Sequence, residues 1–208
     1  MKVRESGMPD ERLWATFFDV DHILTQLLFS DSVSDVVEFG CGYGTFTVAT
    51  AARTSGTVFA LDLEPDMIAN TECKAHAAGL TNVRTVLRDF AVEGTGLPDE
   101  AVGYAMLFNI LHAENPVGLL SEARRILKPG GKVGVIHWNY DCATPRGPDL
   151  SIRPRPKQCQ AWMREAGFEL LLPFFSLPPY HYGLVGQKRT KQLSAIDAVD
   201  CDGKRPSL

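Results

Sequence analysis

The stretch from Glu38 to Gly44 carries one acidic residue and three glycines at alternate positions, in the pattern E-x-G-x-G-x-G. Glycine permits a positive φ and leaves the main chain open, so that a ligand can touch the backbone. A helix that follows such a loop adds unpaired N–H groups and the positive end of its dipole, which suit a carboxylate or a phosphate equally well. The stretch therefore predicts a binding loop for an anionic group.

The spacing of the glycines helps to choose the ligand. A dinucleotide fingerprint requires G-x-G-x-x-G, but its sixth position here is Thr45. Glu38 stands two residues before the first glycine, where it would repel a pyrophosphate but could bind a cationic amine. The pattern favours a cofactor that carries an amino acid. The predicted loop residues are Gly40, Cys41, Gly42 and Gly44.

Short apolar runs alternate with helical runs around this loop. The predicted strands are 36–39, 57–62, 83–88, 102–108 and 132–138, and the predicted helices are 45–53, 65–78 and 116–127. A loop is expected over 89–100, and the sequence KPGG at 128–131 predicts a turn. Strands separated by helices pair in parallel through right-handed crossovers, so the pattern predicts a doubly wound α/β sheet.

The two ends of the chain depart from this alternation. A helix over 156–166 precedes strands over 168–175 and 180–188, whose short connection predicts antiparallel pairing. We therefore predict a mostly parallel, seven-stranded sheet that ends in an antiparallel hairpin, with helices on both faces. The expected division is an N-terminal helical cap over 1–33, a Rossmann-like domain over 34–188 with a substrate-side loop over 141–157, and a polar tail over 189–208.

The N-terminal cap shows apolar residues at helical spacing over 11–30, and either Asp19 or Asp21 could cap a second helix there. Its aromatic residues Trp14, Phe17 and Phe18 either close over the binding site or serve plain helix packing.

Four segments, taken in order, resemble class I S-adenosylmethionine-dependent methyltransferases, and in particular their small-molecule branch. They are VVEFGCGYGTF, VFALDLEPDMI, VRTVLRDF and EARRILKPGGKVGVIHW. The resemblance covers roughly residues 34–140 and implies the cofactor S-adenosyl-L-methionine, with S-adenosyl-L-homocysteine as product. The fourth strand departs from the family pattern, because Gly103 stands where an acidic residue is common.

The resemblance also implies roles for single residues. Glu38 would bind the α-amino group of the cofactor, Asp62 its ribose hydroxyls, and Asp89, with Phe90 beside it, its adenine amine. The open alternatives are a buried ion pair for Glu38, a helix cap for Asp62 and a turn for Asp89. Leu63 and Met67 pack either on the adenine or in the core, and Asn109 either faces the methionine part or caps a turn.

Two histidines are candidates for the catalytic base. His112 lies just beyond the fourth predicted strand and His137 near the end of the fifth, and an imidazole titrates near neutral pH. The alternative for both is a hydrogen-bonded structural histidine, while His22, His76 and His181 are expected on the surface or in the core. Proximity and in-line orientation would provide much of the catalysis.

Composition limits the partners. The net charge of −4 and the pI of about 5.7 give no reason to expect nucleic acid or an anionic membrane. The five cysteines include no C-x-x-C pair, so we expect no metal site. We predict a cytoplasmic enzyme, and a homodimer is compatible with the sequence. The basic residues of the 141–157 loop either attract an acidic acceptor or form a solvated face; they are Arg146, Arg153, Arg155 and Lys157.

The leading hypothesis is methyl transfer to an O, N, S or C atom of a small-molecule acceptor. Two alternatives stay open: a non-catalytic regulatory module that binds S-adenosylmethionine, and a nicotinamide-dependent oxidoreductase.

Overall fold

The computed structural model describes residues 9–140 and 143–190. The strands in this part of the chain are β1 (Val36–Phe39), β2 (Val58–Asp62), β3 (Val83–Leu87), β4 (Val102–Phe108), β5 (Leu127–Trp138), β6 (Phe168–Leu177) and β7 (His181–Lys188). The helices are α1 (Glu11–Ala15), α2 (Val20–Gln26), α3 (Thr45–Arg53), α4 (Pro65–Ala77), α5 (Phe90–Glu93), α6 (Pro116–Ile126) and α7 (Pro156–Glu165).

The strands form one sheet in the order β3-β2-β1-β4-β5-β7-β6. The first five strands pair in parallel, whereas β7 runs antiparallel to both β5 and β6. The strand order reverses at β1, which has β2 on one side and β4 on the other, and ligands of open α/β sheets bind outside the carboxyl ends of the strands at such a point. The predicted fold class is confirmed.

Two apolar layers cover the sheet. One layer packs β-strand residues such as Val37 and Val135 against α6 and α7. The other packs Val36 and Trp138 against the N-terminal helices and α3. All four residues of β1 are buried, as expected for a parallel strand that is covered on both faces.

Several helices begin or end at the capping residues, prolines and glycines that the sequence indicated. The Asp19 side chain accepts from the His22 N–H at 3.2 Å, so Asp19 rather than Asp21 caps α2. Pro65 opens α4, and Gly79 follows it with a φ of 70°. The departure at Gly103 also has a structural reason, because an added Cβ would lie 3.0 Å from Ser34 Oγ.

Three local predictions were wrong. Residues 90–93 form the short helix α5 instead of a loop, and the Arg88 side chain donates to the carbonyls of Glu93 and Gly94 at its end. The KPGG sequence is a bulge inside β5 instead of a turn before it: Val102 pairs with Leu127, but Tyr104 already pairs with Lys132. Strand β6 continues two residues beyond the predicted end, to Leu177.

The predicted division of the chain stays a prediction. The first residues of the predicted cap and most of the predicted tail lie outside the described residues. Positions 141 and 142 of the predicted loop also lie outside them. Within the described ranges, none of the helices combines the length and the apolar character needed to cross a membrane.

Candidate active site

The loop between β1 and α3 is held against the end of β2 by its own backbone. Gly40, Gly42 and Gly44 have φ values of 79°, 52° and 74°. The N–H groups of Gly40 and Cys41 both donate to the Leu61 carbonyl at 2.9 Å. The predicted loop therefore exists, but part of its N–H set bonds within the protein.

Helix α4 fixes the same loop from outside. The Thr71 hydroxyl donates to the Gly42 carbonyl at 3.2 Å, and Lys74 Nζ donates to the Tyr43 carbonyl at 2.6 Å. A Cβ at Gly44 would lie 2.9 Å from Thr71 Oγ1 and 3.2 Å from Thr71 Cα. Gly44 is therefore required by the close approach of α3 to α4.

Asp62 links the loop to β2. Its Oδ2 accepts from the Gly42 N–H at 2.9 Å, and its Oδ1 accepts from the Glu64 N–H at 3.0 Å. Each carboxylate oxygen can accept a further hydrogen bond, so the group keeps capacity for two hydroxyls.

Glu38 is a buried carboxyl group, with 2% of its surface exposed. The Thr47 hydroxyl donates to its Oε2. Burial raises the pKa of Glu38 to about 8, against the opposing effect of the Thr47 hydrogen bond, and the charge of Asp62 raises it further. Among the described residues, no basic side chain forms an ion pair with Glu38, so the alternative of a buried ion pair finds no support.

The residues predicted for the adenine end divide into two groups. Leu63, Met67 and Asp89 are partly exposed around the ends of β2 and β3. Phe90 is buried and packs edge-on against Phe39, with ring centroids 5.5 Å apart. Phe90 is therefore a core residue in this structure.

Cys41 is buried inside the loop, and its sulfur accepts from the Thr71 hydroxyl at 3.5 Å. Burial raises the pKa of its thiol, which keeps the sulfur protonated and unreactive. Cys41 therefore supports the shape of the loop.

A second polar group lies further along the same edge of the sheet, where β4 and β5 end. Asn109 follows β4 with a φ of 56°, and its N–H donates to the Ile136 carbonyl at 2.8 Å. The side-chain Oδ1 and Nδ2 atoms of Asn109 are buried and have no hydrogen-bond partner in the protein.

The two predicted histidines come together beside Asn109. The rings of His112 and His137 are both buried, with centroids 5.6 Å apart. His137 Nδ1 accepts from the Trp138 N–H at 2.9 Å, while its Nε2 has no hydrogen-bond partner in the protein. Burial, together with the charges of His112, His181 and Arg153, lowers the pKa of His137 well below its usual value.

His181, which the sequence analysis expected on the surface or in the core, is buried. It begins β7 and pairs with Trp138 across the sheet. Its exposed fraction is 0%, and neither ring nitrogen has a hydrogen-bond partner in the protein. Its ring lies 4.2 Å from Trp138 and 4.6 Å from Phe18, measured between centroids. Only the pairing of β7 with β5 brings His181 here, so no local sequence signal could have indicated it.

Arg153 is the one residue of the predicted basic set that is buried. Its guanidinium donates to the carbonyls of Pro148 and Asn139 and to the Thr144 hydroxyl, at distances of 2.8–3.1 Å. It also lies 5.9 Å from the Trp138 ring centroid. Arg146, Arg155 and Lys157 are exposed.

The N-terminal segment borders both polar groups. Glu11 forms an ion pair with Lys74, and the Tyr43 hydroxyl donates to the Pro9 carbonyl at 3.1 Å. On the other side, the Trp14 ring lies 6.4 Å from Trp138. The aromatic residues of this segment therefore pack on the sheet edge.

Comparison with known proteins gives this geometry a context. Residues 36–131 match the family model described as "Methyltransferase domain". Over this segment, which includes the glycine loop, the chain is similar to that family. The match supports the resemblance to methyltransferases that the sequence indicates, and the S-adenosylmethionine cofactor belongs to the proposed function. This match favours methyl transfer over nicotinamide-dependent redox chemistry.

Individual relatives are distant. The chain is 31% identical to a demethylmenaquinone methyltransferase of Tropheryma whipplei, over 51% of the chain and 42% of that protein. It is 27% identical to a ubiquinone biosynthesis O-methyltransferase of Xanthomonas axonopodis pv. citri, over 65% of the chain and 62% of that protein. The chain spans about half the length of the first curated relatives it matches.

Among solved structures, a SAM-dependent methyltransferase from Aquifex aeolicus superposes with a TM-score of 0.75 at 20% identity, covering 86% of this chain and 93% of that one. This similarity supports the fold assignment.

Proposed function

We propose that this protein transfers a methyl group from S-adenosylmethionine to a small-molecule acceptor at the carboxyl edge of its sheet. The observation that carries the proposal is Glu38. A buried carboxyl group without a basic partner among the described residues, beside a glycine loop, suits a ligand that brings its own ammonium group.

The cofactor would lie along the ends of β1, β2 and β3. In this proposal Glu38 receives the α-amino group, the loop Gly40–Gly44 supports the amino-acid end, and Asp62 accepts the ribose hydroxyls. The capacity that Asp62 retains after bonding Gly42 and Glu64 supports this role. The adenine would lie near Leu63, Met67 and Asp89, with Phe90 behind them in the core.

When bound, S-adenosylmethionine supplies a methyl group on a sulfonium centre that a nucleophile takes by in-line displacement. The protein's contribution is to exclude water and hold the acceptor at the ends of β4 and β5, where alignment can provide about 7–11 kcal/mol. Asn109 follows β4, the strand that pairs with β1, and is proposed to orient the methionine part of the cofactor.

His112 is the proposed proton acceptor for an acceptor that must lose a proton. His137 is the weaker candidate, because its lowered pKa makes it a poor base at neutral pH. His137 is therefore proposed chiefly to bind the acceptor.

A small-molecule acceptor is supported by the relatives of quinone biosynthesis and by the acidic pI of about 5.7. A cytoplasmic location and a homodimer are further parts of the proposal, and size-exclusion chromatography with light scattering can check the homodimer.

Calorimetric titration tests the cofactor site directly. S-adenosylhomocysteine should bind, and Asp62→Ala should weaken that binding by about 1–3 kcal/mol, because two charge-assisted acceptors are lost. The matched control Asp66→Ala removes an exposed carboxylate from α4 and should leave the affinity unchanged.

Two results would overturn the proposal. One is tight binding of NAD without any binding of S-adenosylhomocysteine. The other is an Asp62→Ala variant that remains folded and binds as tightly as the unaltered protein. Incubation of cell extract with methyl-labelled cofactor and mass spectrometry would then find the acceptor, whereas cofactor binding without labelled product would favour the regulatory module.

A further inference from the structure

A cavity lies between α5 and α6, the two helices whose residues Phe90 and Leu119 pack in the same apolar layer. Its volume is about 260 Å³, and its lining comes from α5 and the glycine behind it, from the segment before α6 and from the first two turns of α6. It shares only Phe90 with the residues proposed for the cofactor, and it includes neither His112 nor His137. The cavity is therefore a candidate for a second ligand site, separate from the proposed active site.

The walls of this cavity are mostly apolar. Phe90 and Leu119 are buried, whereas Val92 of α5 is 70% exposed. No other large apolar side chain in the described ranges is as exposed as Val92. An apolar cavity of about 150 Å³ can hold a benzene molecule. The space between α5 and α6 is larger, so it has room for a body of one or two aromatic rings that would cover Val92.

Both charged side chains in the lining are carboxylates. Glu114 is exposed, and within the described part of the chain no ion pair involves it. Glu122 Oε1 accepts from the N–H and the hydroxyl of Thr95 and from Arg125, but Oε2 accepts only from Arg125 Nε, at 2.8 Å. A carboxylate oxygen has two lone pairs, so Oε2 of Glu122 can accept one more hydrogen bond.

The charge of the lining indicates the sign of the ligand. The hydrogen bond from Arg125 lowers the pKa of Glu122 to about 2, so this carboxyl group is ionised at neutral pH. None of the described residues that line the cavity is Lys, Arg or His. Arg125 offsets part of the charge of Glu122, but Glu114 has no such basic partner. An anionic ligand would be repelled by this lining, whereas an ammonium group would be attracted and brings three N–H donors.

We propose that the cavity between α5 and α6 binds a small amine that carries one or two aromatic rings. The ring lies against the apolar walls, where it covers Val92, and the ammonium group faces Glu114 and Glu122. The apolar walls account for the ring, and the two carboxylates account for the positive charge. This inference goes beyond the proposed methyl transfer and does not depend on it, because the cavity is present whether or not the cofactor site is occupied.

The probe for the test is 1-naphthylmethylamine, a two-ring molecule whose amine is protonated at pH 7. The matched neutral probe is 1-naphthalenemethanol, and 1-naphthoic acid provides the same ring with a negative charge. Calorimetric titration of the full chain measures all three affinities. We expect the amine to bind at least about fivefold more tightly than the alcohol, because only the amine forms ion pairs with the carboxylates, and we expect the acid to bind most weakly. Saturating S-adenosylhomocysteine should not displace the amine.

Val92→Lys adds a positive charge to the lining at an exposed position. It should weaken amine binding about tenfold, because like charges a few ångströms apart repel, while binding of the alcohol changes much less. Leu171→Lys makes the same change at an exposed position of β6, the edge strand at the far end of the sheet from β3, and should alter neither affinity. Glu114→Gln should weaken amine binding about threefold and leave the alcohol unaffected.

The inference is overturned if the amine does not bind, or if the alcohol or the acid binds the unaltered protein as tightly as the amine. It is equally overturned if folded Val92→Lys binds the amine like the unaltered protein, or if S-adenosylhomocysteine displaces the amine, since the probe would then occupy the cofactor site. The comparison of the three probes needs no variant, so a variant that fails to fold does not remove the test. Amine binding without any binding of S-adenosylhomocysteine would support this site and reject the proposed function alone.

Discussion

Two regions of the same sheet edge differ in how their polar atoms are hydrogen-bonded. Around β1 and β2 the polar atoms bond to one another: Gly42 to Asp62, Thr71 to the loop carbonyl, Lys74 to Tyr43. Around β4, β5 and β7, Asn109, His137 and His181 keep buried atoms without protein partners. We therefore propose the first region as a preformed site for the cofactor, whereas the second would complete its hydrogen bonds with a ligand or with water.

The difference in hydrogen bonding also affects the folding stability of each region. A preformed site is rigid because its backbone bonds are made within the protein, so substitutions there act on folding as well as on binding. A site with unfulfilled hydrogen bonds loses stability when it is empty, since each buried unsatisfied polar group costs about 1–3 kcal/mol.

The largest expected effect lies in the preformed region, at Gly44. Gly44→Ala should lower the free energy of unfolding by about 3 kcal/mol, because the positive φ costs about 1–2 kcal/mol and the contact with Thr71 adds overpacking. Gly79→Ala is the matched control, since its φ is 70° but a Cβ there meets nothing within 4 Å. Urea unfolding measures both. Equal losses for the two variants would mean that contact with α4 does not constrain the loop.

The second prediction tests whether turnover can be changed at the ends of β4 and β5 without changing the affinity for the cofactor product. His112→Ala should lower turnover about 100-fold, the lower end of the range for general acid–base catalysis, while the affinity for S-adenosylhomocysteine changes less than about twofold. Steady-state rates with the acceptor found by the labelled-methyl screen and calorimetry provide the two numbers. His76→Ala on the surface of α4 is the control. A joint loss of turnover and cofactor affinity would show that the two regions are not separable.

The smallest effect concerns proton release in the cofactor region. Because the pKa of Glu38 is about 8 in the ligand-free protein, its carboxyl is mostly protonated at pH 7 and must ionise to bind an ammonium group. Affinity for S-adenosylhomocysteine should therefore rise between about pH 6 and pH 7.5, by at most about tenfold per pH unit, while the ligand's α-amino group stays largely protonated.

Glu38→Gln removes this proton and should flatten the pH dependence while weakening binding overall. Calorimetry in buffers of different ionisation enthalpy should find about one proton fewer released by the variant at pH 7. Glu38 also makes the ligand-free protein less stable as pH rises from 4.5 towards 8, because the unfolded chain ionises first. The variant should lack this decline. Equal proton release in both proteins would exclude Glu38 from the binding of the amine.

The preformed region was largely predictable from sequence, because its signals are local. The spacing of the glycines after Glu38 indicates the loop, and the acid at the end of the next apolar run indicates Asp62. Strand β1 and helix α3 have the predicted bounds for the same reason. What the sequence could not show was the bond from Gly42 to Asp62, which depends on the distance between two strand ends.

The acceptor region was less predictable because its residues meet through non-local pairing. His181 begins a strand that becomes a neighbour of β5 only through antiparallel pairing, and the burial of Arg153 depends on how its loop folds over Trp138. Helix α5 was missed because four residues show too little periodicity to be distinguished from a loop.

The short helix α1 touches both regions at once, through the Glu11 ion pair with Lys74 on one side and Trp14 near Trp138 on the other. Any displacement of this helix that admits an acceptor also disturbs the support of the glycine loop. Binding of the two ligands is then expected to be coupled, and calorimetric titration of one ligand in the absence and presence of the other would measure that coupling.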